Sequence, residues 1–330
     1  MTESPTILIA MPLFEGWEHV AETLDSIKRQ TYKNYRVLIS VDGGDQRSFA
    51  VCQPYTEDPR FELVLQPTRL NWEGNMTWLA GQLREDFFSY WQHDDHCDPK
   101  YLETLIEYAK RHPQASSVYC DMKVFGTRDQ IIKYPSVTGF ALQRVLRTIT
   151  KFNPAVIRCL IRADAMRISL PIKLAATWAI ALARAGELHR VPELLYFRRL
   201  RAEALTNTML LRPPEVMWAV SLDWAMGVLE HAHPLIQKNE EAQLFSMIVD
   251  LAVNQQIRGK WQYDFTTADR AERLRFVAEF LAEAKARFGL TPFADIPTGG
   301  DRRAALLARK GRAGAWDGED LLVDAMLAAC

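Results

Sequence analysis

Between residues 88 and 99 the chain reads FSYWQHDDHCDP. An apolar run drives straight into two adjacent carboxylates, Asp94 and Asp95, flanked by His93 and His96. Hard divalent cations take oxygen ligands, and Mg2+ commonly uses one or two carboxylates together with substrate phosphates. Successive side chains on an extended chain point to opposite sides. One carboxylate can therefore reach a cation while the other contacts a ribose or fixes the loop. Helix capping is the plainer reading of an acidic turn, but Asp98, just before Pro99, already fills that role. Zinc is a further reading of His93, His96 and Cys97. Their spacing matches no structural zinc pattern and no second cluster partners them, so loop or substrate contacts suit the histidines better.

Three other stretches carry usable chemistry. Asp42 precedes Gly43 and Gly44, where it can accept hydrogen bonds from a base or ribose, or simply tolerate a turn. Asn71, Gly74 and Asn75 open a helix, whose free N–H groups favour phosphate, although Asn and Gly are also ordinary cap residues. Arg198, Arg199 and Arg201 form a basic cluster that reads as a phosphate clamp or as a solvated edge. Trp72, Trp78 and Trp91 read as core or staple residues.

The elements that must position these groups alternate. Thr6–Leu13 is an apolar run of strand length, and Trp17, Val20, Leu24 and Ile27 then recur at helical spacing. Strands follow at Arg36–Asp42, Phe61–Gln66, Phe87–Gln92 and Ser117–Asp121. Helical segments lie between them near Asp45–Pro54, Gly74–Glu85 and Pro99–Arg111. Strands apolar throughout are buried on both faces, so this order predicts an α/β fold: a mostly parallel sheet with helices on both faces. Ligands of such sheets bind beyond the carboxyl ends of the strands. That rule gathers Asp42, Asn71, Gly74, Asp94 and Asp95 on one rim.

Phe125–Phe152 is less regular and richer in basic residues, and is expected to be a mobile loop over that rim. The pattern resumes with Ala155–Ile161, a helix near Ala175–Ala185 and a strand over Arg190–Arg199. Beyond about Leu211 the chain reads as wholly helical, over Glu215–Glu230, Glu240–Gln256 and Ala268–Phe288, with a loosely held tail at Gly299–Gly318. Residues 1–208 thus form the expected ligand-binding and catalytic domain, and 209–330 a helical C-terminal region.

A net charge of −1 gives no general attraction to nucleic acid or membrane. Five cysteines with no CxxC pair fit a disulfide framework poorly and suggest a reducing, cytoplasmic setting. The N-terminus lacks the basic start of a signal peptide, and no window is long and apolar enough to span a membrane.

In this order the pieces resemble the inverting family 2 glycosyltransferases with a GT-A fold, over roughly residues 5–205. Pro12 stands in the first strand. Ser26, Gln30, Thr31 and Tyr32 reproduce the S-x-x-x-Q-T-Y end of the first helix, and Asp42 ends the second strand. RLNWEGNMTWLAG is similar to the family's Gly/Asn-rich segment, QHDDHCDP to its D-x-D strand end with Pro, and GELHRVPELLYFRR to its late strand. The resemblance implies transfer of a sugar from a nucleoside diphosphate donor to a hydroxyl on a glycan, a lipid-linked sugar or a small molecule. It implies that Pro12, Glu15, Asp42, Asn71, Gly74, Asn75, Asp94 and Arg201 bind the donor. A divalent cation (Mg2+ or Mn2+) would sit on Asp95, the preferred ligand, and Asp94, and offset charge on the leaving diphosphate.

The chain departs from the family in three places. Gln92 replaces the first Asp of D-x-D. The segment Lys173–Trp178 lacks the acidic pair that supplies the catalytic base, which leaves Asp121 or Glu187 to serve. Arg201 stands where a metal-binding histidine often lies, and a guanidinium can do part of a metal's work on phosphate. Glycosyl transfer is the leading expectation. A degenerate relative that binds nucleotide or glycan without turnover is the alternative. A nucleotidyltransferase ranks below both, since PLFEGWEH is not a Gly-rich basic phosphate loop. The C-terminal helices are expected to shape the acceptor site or form a homodimer interface.

Overall fold

The computed structural model describes residues 4–201, 212–254, 263–265, 267–292 and 317–328. Two compact units emerge, Met1–Thr148 with Phe152–Ala202, and Ile149–Lys151 with Glu203–Cys330.

The first unit is built on one sheet. Strand β1 (Ile7–Leu13) is buried at all seven positions. It can be so apolar because it is central, with β2 (Tyr35–Val41) and β4 (Phe87–Tyr90) parallel on its two sides. β3 (Phe61–Leu65) pairs parallel with β2 at the edge. Helix α1 (Val20–Lys28) buries Val20, Leu24 and Ile27, the spacing that predicts it. Further on come α2 (Gln46–Cys52), α3 (Asn71–Gly81), the two-residue β5 (His96–Cys97) and α4 (Tyr101–Arg111). α4 buries Leu102, Leu105, Ile106 and Ala109 along one face.

The sheet continues with β6 (Ala115–Gly126), β7 (Gln130–Ile132), β8 (Leu160–Arg162) and β9 (Glu187–Leu200), in the order β3-β2-β1-β4-β8-β6-β9-β5 with β7 on β6. β8 runs antiparallel to both β4 and β6, so the sheet is mixed although its first four strands are parallel. Two antiparallel steps turn β6 back to the direction of β4, and β9 lies parallel to β6. The carboxyl ends of β1 to β4, β6 and β9 therefore share one rim. The chain leaves β1 toward β2 on one side and returns as β4 on the other, so the switch point lies between β1 and β4.

The expected loop over residues 125–152 instead contains β7 and helix α5 (Ala141–Thr150). Leu142, Val145, Leu146 and Ile149 form a helical stripe that the interleaved Arg144 and Arg147 disguise. α6 (Ala163–Arg167) and α7 (Ala175–Ala185) follow β8.

In the second unit the described elements are helical: α8 (Pro214–Ala232), α9 (Glu241–Val249), α10 (Arg270–Phe288) and α11 (Asp317–Ala328). Trp218 is the hub, with its ring edge-on to Tyr263 and Phe276 and its indole N–H donating to Glu279 at 2.6 Å. Most of the tail expected at 299–318 lies outside the described residues, which resume at Asp317 in α11. Among the described residues no helix is long and apolar enough to cross a membrane.

Candidate functional site

The loop after β4 is held from beneath by α1. The Thr23 hydroxyl donates to the Asp95 carbonyl at 2.7 Å, and Ser26 Oγ accepts from the Cys97 N–H at 3.4 Å. The buried Gln30 amide donates to the Asp98 carbonyl at 2.8 Å and accepts from the Leu102 N–H at 3.0 Å. The Thr31 N–H donates to the Pro99 carbonyl. The S-x-x-x-Q-T motif is therefore a brace for the acidic loop. Asp98, expected as the helix cap, accepts from the Lys100 N–H at 2.8 Å in the turn before α4, whose N-cap is Lys100 with no side-chain cap bond. Gly16, in the loop after β1, lies so close to His93 that a Cβ would overlap the imidazole.

On this brace Asp95 is 2% exposed and fully engaged. Its Oδ2 accepts from the Tyr196 hydroxyl at 2.6 Å and its Oδ1 from the Arg199 N–H at 2.9 Å. Burial pushes its carboxyl up to about 6. Arg158 pulls the other way from 3.6 Å, but only through its charge, because its hydrogen bonds go elsewhere. Arg158 Nε donates to Gln92 Oε1 at 3.1 Å, its Nη2 donates to the same oxygen, and its Nη1 donates to the Pro154 carbonyl.

Asp94 faces the other way, with Oδ2 3.1 Å from Arg201 Nε. Arg199 donates to the Asp94 carbonyl, pairs with Glu22 and stacks over Phe125. His93 Nε2 is buried without a partner, and burial holds that imidazole below its ordinary range. His96 sits between Phe197, against which it stacks, and Phe125. Among the described residues no group of three His, Cys, Asp or Glu could hold a metal.

Asp42 directly follows β2, 2% exposed. Its Oδ1 accepts from the N–H groups of Gly43, at 3.1 Å, and Leu70, at 2.6 Å. Its Oδ2 pairs with Arg69 Nε at 3.0 Å, and the Arg69 guanidinium lies over the Phe14 ring. Glu15 is exposed beside this turn, where its N–H donates to Asp45. Asn71 takes the left-handed region at φ 59°, tolerable for Asn, and starts α3 earlier than its hydropathy suggests. The other two members of that segment point inward. Asn75 is 1% exposed and donates to the Ser40 carbonyl at 2.9 Å, and Gly74 sits against Leu70. Pro12 is buried within β1, opposite Ser40.

Of the expected bases, Glu187 lies apart from this group, and Asp121 is held by an ion pair. Both Asp121 oxygens accept from Arg190, at 2.6 and 2.8 Å. Glu187 accepts from the Gly139 N–H and hydrogen-bonds His189, which holds its carboxyl below the ordinary range. It begins β9, and its partner Ala115 lies seven residues before Met122, the partner of Tyr196, hence about 23 Å away at the amino end of the strand. At the start of α7, Thr177 donates to the Leu174 carbonyl at 3.1 Å, and the first turn has no acidic residue. The structure thus brings together Asp42, Glu15, Asn71, Asp94, Asp95 and Arg201 around the strand-end loops, and not Glu187. Sequence reasoning misses Arg158, Tyr196 and Arg69. For Arg158 the available signal is a lone charge within the apolar run PAVIRCLI.

Residues 8–168 match the profile of the family described as glycosyl transferase family 2. The matched segment is just under half of the chain. EpsE of Bacillus subtilis (strain 168), named provisionally as a glycosyltransferase, is 21% identical over 38% of this chain and 46% of its own length. Glycosyltransferase GlyA of Streptococcus pneumoniae serotype 4 is 23% identical over 31% of this chain and 14% of its own. The matched segment therefore spans less than half of either curated relative. Among solved structures, S. aureus TarS 1-349 superposes with a TM-score of 0.61 at 11% identity, over 98% of this chain and 92% of that one. Its complex with UDP-GlcNAc gives 0.63. The fold of the family 2 segment is GT-A.

Proposed function

We propose that the chain transfers a sugar from a nucleoside diphosphate sugar to a hydroxyl acceptor, with inversion at the anomeric carbon. The observation that carries this reading is the meeting of the loops after β1, β2 and β4 at the switch point of a family 2 segment, with Asp42 and Asp94 among them. Asp42 contacts the base or ribose once Arg69 swings aside, which Arg69 can do because its side chain is 41% exposed. Glu15 and Asn71 flank the nucleotide. Asp94 and Arg201 face the diphosphate. TarS, the fold neighbour, is seen in complex with UDP-GlcNAc, a donor of this class.

A second reading, binding without turnover, is favoured by one observation. α7 opens without a carboxylate, and both Asp121 oxygens are taken by Arg190. Calorimetric titration with UDP-, GDP- and dTDP-sugars separates the two when followed by NMR of released sugar. Binding with release or transfer of sugar of inverted configuration is expected. Binding without release supports the second reading, and no binding to any donor overturns both.

A further inference from the structure

We propose that the donor diphosphate is held by guanidinium groups, Arg198 and Arg201 backed by Arg158, and that this binding requires no divalent cation. The inference rests on the donor-binding reading above and concerns how that site carries its charge.

The oxygen donors at the acidic loop do not suit a hard cation, which asks for several carboxylate, carbonyl or water oxygens free to converge. Both Asp95 oxygens are taken by Tyr196 and Arg199. Gln92 is neutral, and its oxygen already receives two N–H groups from Arg158. Only Asp94 remains, and it already faces Arg201 at 3.1 Å. A cation bound here must break one of these contacts or settle beside a guanidinium.

The charge balance favours an anion instead. Arg199 is offset by Glu22. That leaves Arg158, Arg198 and Arg201 against Asp94 and Asp95. Among the described residues the Arg198 side chain makes no hydrogen bond or ion pair. Burial, and the Arg158 guanidinium near it, pull it below its ordinary range. Its side chain is half-buried and unpaired, so its N–H groups face solvent and stand open to a ligand oxygen. Guanidinium matches phosphate oxygens in bidentate geometry, and fixed positive charge stabilises a departing diphosphate as a cation would.

The test is calorimetric titration of UDP, GDP and dTDP into the full chain, once in EDTA and once in Mn2+. At least one nucleotide is expected to bind in EDTA within about threefold of its affinity in Mn2+. Arg198→Gln and Arg201→Gln should each weaken that binding tenfold or more, and Arg198→Lys less than Arg198→Gln. Binding seen only with Mn2+ overturns this inference and leaves the donor reading standing. No binding in either condition overturns both. Unchanged affinity in Arg201→Gln and Arg198→Lys, two mild changes, also overturns it should Arg198→Gln fail to fold.

Discussion

Arg158 and Gln92 are joined by two hydrogen bonds onto one amide oxygen, at the position where the family resemblance expects an aspartate. A carboxylate there would neutralise Arg158. The amide orients it without removing its charge. Gln92→Glu keeps the length of the side chain and adds the missing charge. We expect it to lower nucleotide affinity in EDTA about tenfold, the order expected for one added charge a few ångströms from a diphosphate in a partly screened site. Calorimetry in EDTA, then with added Mn2+, checks this. An unchanged affinity would show that the Arg158 charge is not felt by the ligand.

The burial of Asp95 has a pH signature. The folded protein holds the Asp95 proton with a pKa of about 6, against about 3.9 for an unfolded aspartate. Folding therefore favours the protonated form. The stability gained from this group is complete below about pH 4 and is lost as pH rises through about 6. The gap between the folded and unfolded values corresponds to about 3 kcal/mol. Asp95→Asn cannot titrate, so the difference between wild type and variant in urea unfolding should move against the wild type by that order between pH 4 and 7. A difference flat with pH would mean that Arg158 fully compensates the buried carboxylate.

Much of this site is legible in the sequence because it lies where apolar runs stop. β1 is apolar at every position since both faces are covered, and Asp42, Asp94 and Asp95 appear as the first charges after β2 and β4. What holds those charges is not legible. Tyr196 reaches Asp95 from 101 residues away, and Arg158 reaches Gln92 from 66. No local spacing encodes such partners. Strand direction is equally silent in hydropathy. β8, only Leu160–Arg162, carries no mark of its direction, yet it runs antiparallel and turns β6 back so that β9 can deliver Tyr196 and Arg199 to the rim. Pairwise capture of the two acids also explains why Asp95, the first choice from the sequence as a metal ligand, is the more occupied of the pair.

Gly43 shows how tightly the β2 loop is set. A Cβ there would overlap the backbone at Arg69, the residue whose side chain pairs with Asp42. Gly43→Ala must displace that backbone, and with it the Leu70 N–H that Asp42 accepts. Forced overpacking costs about 1–3 kcal/mol. We expect a lower melting temperature together with weaker nucleotide binding. Gly44 is the control for the position of the clash: its φ is +82° but a Cβ would meet nothing within 4 Å. Gly44→Ala should therefore cost stability through backbone strain alone while leaving the Asp42–Leu70 contact in place.

Asp121 carries the sharpest question about turnover. A general base must present a free oxygen to the acceptor hydroxyl, and its removal costs about 10²–10⁴-fold in rate. Both Asp121 oxygens are instead held by the forked Arg190 guanidinium, at 2.6 and 2.8 Å, and the carboxylate is 4% exposed. That geometry is a clasp between β6 and β9. Asp121→Asn retains one acceptor and loses the charge, so we expect it to lower stability by about 1.5–3 kcal/mol, as for a hydrogen bond to a charged group. Sugar transfer measured below the melting transition should fall by less than tenfold. If kcat instead drops a hundredfold or more while KM and folding hold, Arg190 must release the carboxylate during turnover, and Asp121 is the base.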